Sequence, residues 1–135
     1  MARFAVPRSD RGASVVEFAM LAVLLVLLLF TVLQVALWFY ARNVVASAAA
    51  DAARYAAGTT GASDAGAQRA DQLIGKGLTA RAAADIPCVQ ADAVDSSGLP
   101  TRTVHCRGRL RMALLPFDLP LTIDVRSSAL IEATP

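Results

Sequence analysis

A single carboxylate, Glu17, stands at the entrance to the least polar part of this 135-residue chain. The stretch DRGASVVEF, residues 10–18, leads into FAMLAVLLVLLLFTVLQVALWFYA, residues 18–41, which carries no charge and only two clearly polar side chains, Thr31 and Gln34. A charged group in a bilayer costs up to ~3 kcal/mol at the centre on insertion scales and less near the interface, so this one asks for a reason. Two chemistries supply it. In the headgroup layer, Glu17 would complement the positive end of a helix dipole. Inside an apolar helix bundle it would instead pair with a cation, and since both charges are expensive there, pairing lowers the cost in one axial register alone.

A second candidate chemistry is a disulfide. Cys88 and Cys106 are the chain's two cysteines. CVQADAV and TRTVHCRG flank the turn-rich DSSGLP, which predicts a hairpin. Facing Cys88 with Cys106 also sets Gln90 against Val104 and Asp92 against Arg102, an opposite-charge cross-strand pair on the cysteine face. One register thus favours both the hairpin and the bridge. A bridge closing that loop would stabilise by ~3 kcal/mol in the chain-entropy model. The alternative is two free buried thiols.

Catalytic signals are sparse. His105 is the chain's one histidine, and no CxxC or HExxH motif accompanies it. Asp85, Asp92, Asp95, Asp118 and Asp124 lack calcium-loop spacing, and no phosphate-binding glycine loop follows a strand. The expectation is no enzyme, no metal, no cofactor and no small-molecule substrate. The net charge of +2 gives no reason to expect a nucleic-acid partner.

The elements that position these residues follow from patterning. Apolar residues make up 56% of the chain, above the ~45–50% of ordinary soluble domains. The uncharged run, residues 18–41, would extend roughly 36 Å as a helix, against a hydrocarbon core of about 30 Å, and so predicts a transmembrane span. Arg3, Arg8 and Arg11 against Asp10 place the short N-terminal arm in the cytoplasm and the remainder outside, where a disulfide is permitted. Trp38, Phe39 and Tyr40 close the run as an interfacial aromatic belt, or as a contact with a partner.

Alanine-rich sequence carries the helix on, so residues 13–57 read as one helix with Val44, Val45, Ala48, Ala52 and Tyr55 near one face, stopped by Gly58. Residues 58–66 read as a loop and residues 67–84 as a second helix with a stripe of Ala70, Leu73, Ile74, Gly77, Leu78 and Arg81. Strands follow from Cys88. Leu110–Leu115 continues the second strand, PFDLP makes a bend, and Leu121, Ile123, Val125, Ala129 and Ile131 alternate with polar residues, Leu130 excepted. The fold class is α+β, a long transmembrane helix followed by a short helix and a small antiparallel sheet.

The sequence RGASVVEFAMLAVLLVLLLFTVLQVALWFYARNVVASAAADAARYAA, residues 11–57, resembles the TadE-like family, the minor pseudopilins of Tad and Flp type IV pilus systems. The resemblance rests on Arg11 and Gly12, on Glu17 and Phe18, on Arg42 and Asn43, and on Ala53–Ala57. Phe18 stands where Flp pilins generally have tyrosine. The resemblance implies a pilin-like plan with a leader, residues 1–12, and cleavage by a prepilin peptidase between Gly12 and Ala13. Glu17 and Phe18 would serve assembly, with Glu17 pairing to a neighbouring subunit's N-terminal ammonium. It implies as partners the membrane, the peptidase, other pilins and pseudopilins and the Tad assembly platform, in the cytoplasmic membrane with residues 67–135 as an outer domain. The implied role is adhesion or a related secretion process.

Three other readings compete. Ala48 ends an A-x-A-like signal-peptidase site, but signal-peptide apolar cores span about 7–15 residues, far fewer than here. A membrane-anchored enzyme lacks a catalytic constellation. A plain single-pass anchor would keep residues 1–12 and present the outer domain as an adaptor.

Overall fold

In the computed structural model, residues 11–59, 63–111 and 120–131 are described. Most of the leader, the Leu110–Leu115 continuation beyond Arg111 and most of the PFDLP bend lie outside them.

The apolar run and the alanine-rich segment form one helix, α1 (Arg11–Gly58), of 48 residues. Small helices α2 (Ala65–Gly77) and α3 (Ala80–Asp85) follow, then strands β1 (Cys88–Val94), β2 (Pro100–Arg111) and β3 (Pro120–Leu130). The strands form an antiparallel meander in the order β1-β2-β3, and the class is α+β.

The second half of α1 is the spine of the core. Ala41, Val45, Ala48, Ala49, Ala52, Ala53 and Ala56 are buried, a 3.6-residue stripe of mostly one-carbon side chains. Such a stripe lets α2 and the sheet approach α1 closely. A Cβ on Gly77 would lie 2.6 Å from Val44 Cγ1, and one on Gly66 would lie 2.9 Å from Ala56 Cβ. These two contacts also show that α2 runs antiparallel to α1. Ile74, Ile86, Val104, Cys106 and Ile123 fill the space between helix and sheet. Tyr55, expected on the buried face, is exposed instead, with the Arg69 guanidinium 5.8 Å from its ring centre. The face that packs is the alanine face, and a phenol ring would hold the sheet away from it.

The expected single helix over residues 67–84 is two. Leu78 leaves the α region, and the Thr79 hydroxyl accepts a hydrogen bond from Ala82 N at 3.1 Å, capping α3. Gly75 and Gly77 weaken α2 at that end. Arg81 is therefore an exposed residue of α3, off the α2 stripe.

In the sheet, Cys88 faces Cys106, Gln90 faces Val104 and Asp92 faces Arg102. The hairpin turn is held by Asp95 Oδ1, which accepts from Ser97 N and Leu99 N at 2.8 Å, and by Gly98 at φ +80°. In β3, Ile123 is buried and Leu130 exposed, as the alternation requires.

Candidate functional site

From Ser14 to Leu37, most of α1 is exposed beyond the other described elements. It is long and apolar enough to cross a membrane, and its most apolar window is not buried by the other elements. The carboxylate of Glu17 sits in this exposed segment, with no ion pair among the described residues. Val16, Met20, Val23 and Leu27 line an open apolar groove beside it. Spacing puts Glu17, Met20 and Leu24 on one helical face, so the carboxylate lies at the head of an apolar stripe. Phe18, exposed next to it, faces outward too. Gly12 and Ala13 occupy the first turn of α1, where backbone N–H groups have no partner within the helix.

Ala41 is the first α1 residue that the domain buries, immediately after the aromatic triplet. Phe39 and Tyr40 are exposed, whereas Trp38 is half-buried and meets Phe39 edge to face at 4.9 Å. The Tyr40 hydroxyl donates to Gly77 O at 3.2 Å. Of the three residues that end the apolar run, Tyr40 thus holds the lower end of α2.

Beyond the membrane segment, three arrangements fix the domain to its helix. Cys88 and Cys106 form a disulfide, S–S 2.03 Å. Arg102 Nε donates to Asp92 Oδ1 at 3.0 Å, and the same guanidinium donates through Nη1 to Ala56 O at 2.6 Å and to Thr59 O at 2.9 Å. A cation thus closes the C-terminal carbonyls of α1, where the helix dipole favours it. The charge pair with Asp92 was legible in the sequence, but the helix-capping role depends on residues 46 apart meeting in space. On the sheet face turned away from α1, His105 Nε2 lies 2.8 Å from Asp124 Oδ1, and Arg107 Nε lies 3.6 Å from Asp124 Oδ2. No cluster of three metal-ligating side chains occurs among the described residues.

The hydrogen bond with His105 holds the Asp124 carboxyl below the usual carboxylate range; desolvation opposes it, and the nearby charges of His105 and Arg107 add to the lowering. Its folded pKa lies below its unfolded one, so this interaction stabilises the fold above the ordinary carboxylate pKa. It is lost as pH falls through the lower folded value. His105→Gln is expected to move the Asp124 titration midpoint upward, toward the ordinary range, in carbon-detected NMR. An unmoved midpoint would show that His105 is not the cause.

The family model of TadE-like proteins matches residues 12–54. This stretch is TadE-like. The matched residues begin at Gly12, include Glu17 and Phe18 and lie wholly within α1. They cover about a third of the chain, and the TadE-like match points to a component related to Tad pili. No curated protein and no solved structure matches the chain.

Proposed function

We propose that this chain is a minor pseudopilin of a Tad or Flp type IV pilus, a structural and assembly component with no catalytic activity of its own. A prepilin peptidase removes residues 1–12 on the cytoplasmic side, leaving Ala13 as the N-terminus. The mature chain sits in the cytoplasmic membrane with its α+β domain outside, and packs its apolar helix against other pilins and pseudopilins at the Tad assembly platform. Adhesion or a related secretion process would follow from that assembly.

The observation that carries this reading is the TadE-like match starting at Gly12, over a helix whose Glu17 heads an uncovered apolar stripe. The position of the scissile bond suits it as well. A glycine in an unpaired first turn is easily unwound and, lacking a side chain, admits a peptidase close to the backbone. Sequencing the N-terminus of the chain taken from its native membrane tests the proposal. ASVVEF is the expected start. An intact leader would favour a plain single-pass anchor, and a start at Ala49 a secreted protein.

A further inference from the structure

We propose that the membrane-facing end of the outer domain is a basic collar that binds the headgroups of anionic phospholipids. Three contacts orient the domain on α1. Arg102 reaches Ala56 O and Thr59 O, Gly77 lies against Val44, and Tyr40 donates to Gly77 O. The first marks the distal end, the other two the end next to the apolar run. From Arg102, β2 descends seven residues to Arg109, about 23 Å, which matches roughly 15 residues of helix and reaches the level of Ala41. Partway down, Gly108 lies against the backbone of Asp85 and Ile86, which places the end of α3 beside the lower part of β2.

No stalk separates the domain from the bilayer. The apolar run ends at Ala41, and Ala41 is already buried by the domain. The polar headgroup layer is about 5–7 Å deep on each side, or roughly four residues of helix. Residues 41–45 of α1, and the α2 terminus bonded to Tyr40, therefore stand at headgroup depth.

The charge at this end is one-sided. Arg42, Lys76, Arg81, Arg107 and Arg109 are all exposed there, against Asp85 and Asp124 among the described residues. Asp71 lies about 9 Å further up α2. At the distal end the cations no longer prevail. Arg69 and Arg102 are held by Asp51 and Asp92, and Asp64 and Asp95 stand against the exposed Arg54. A cationic end pressed against a phosphate layer has charge complementarity to anionic lipid, and each cation near such a surface adds to the attraction until salt screens it.

This inference rests on α1 spanning a membrane and not on leader cleavage, so the uncleaved chain serves for its test. Lys76 is the chain's one lysine. Its acylation by an uncharged water-soluble reagent can be followed by peptide mass spectrometry in the full chain reconstituted in vesicles. In phosphatidylcholine containing phosphatidylglycerol, acylation of Lys76 is expected to be at least about fivefold slower than in phosphatidylcholine alone. Raising the salt to ~1 M, where the screening length is ~3 Å, should restore the rate. The variant Arg42→Gln/Arg81→Gln/Arg109→Gln should lose most of the difference. The amine introduced by Ser63→Lys at the distal end should react equally in both vesicles. Equal rates at Lys76 in the two lipids would overturn the collar. The same slowing produced by inorganic phosphate over phosphatidylcholine would overturn the assignment to lipid.

Discussion

Glu17→Ala is expected to leave the chain inserted in the membrane and to lower its incorporation into pilus assemblies at least tenfold, measured by co-purification or crosslinking to partner pilins. Insertion persists because the substitution removes a charge from an apolar helix, which favours the bilayer. Assembly fails for the opposite reason. When apolar stripes such as that of Val16, Met20, Val23 and Leu27 pack together, water leaves the head of the bundle. An N-terminal ammonium buried there without its carboxylate costs about 3–5 kcal/mol, the penalty for breaking a buried pair by removing one partner. Glu17→Gln should behave like the alanine variant, since an amide keeps the shape and loses the charge. The ammonium exists only after cleavage, so blocking cleavage at Gly12 and removing Glu17 act on one interaction. Crosslinking losses in the double variant should then be smaller than the two single effects added together. Normal assembly by Glu17→Ala would sink the register role and leave Glu17 as a headgroup-layer residue.

Much of the fold can be read from residue types because two independent signals meet at one place. In the hairpin, the cysteine pair and the Asp92–Arg102 pair demand the same register, and a slip by one residue would break both. The length of α1 follows from an uncharged run joined without a break to alanine-rich sequence. The stop between α2 and α3 was also written in the chain, as Gly75 and Gly77 before Thr79 and an alanine run after it, but the helix-forming residues on both sides read as continuous. Tyr55 was misplaced because spacing alone puts it near the buried stripe. Size decides against it, since the sheet packs on alanines and leaves no room for a ring. The second role of Arg102 and the crossing of Asp85–Ile86 over Gly108 depend on distant segments meeting, which no local pattern encodes. For the candidate site, the sequence supplied Gly12, Ala13, Glu17 and Phe18 as a group. The fold adds that the other described elements leave the helix face they head exposed.

Removing the disulfide should cost the outer domain a large part of its stability. Cys88→Ala/Cys106→Ala reopens a loop of separation 18, worth ~3 kcal/mol of denatured-state entropy in the chain-entropy model. The domain has little in reserve to absorb that loss. Its largest fully buried side chains are three isoleucines, two valines and Cys106 itself, and much of the α1 face is alanine, which buries little area per residue. For a domain this small, a destabilisation of ~3 kcal/mol lowers Tm by roughly 12 °C or more. The loss should be confined to the part beyond the membrane, because most of α1 before Trp38 is exposed outside the domain. Thermal melts followed by near-ultraviolet circular dichroism should therefore show an earlier loss of tertiary signal, while the helical signal of the membrane span survives. Since Arg102 joins β2 to the end of α1, its exchange for leucine in the reduced background should lower Tm further, with Asp92 and the α1 carbonyls left without their cation. A double alanine variant that melts within a few degrees of the parent would mean that helix–sheet packing, and not the bridge, holds this domain together.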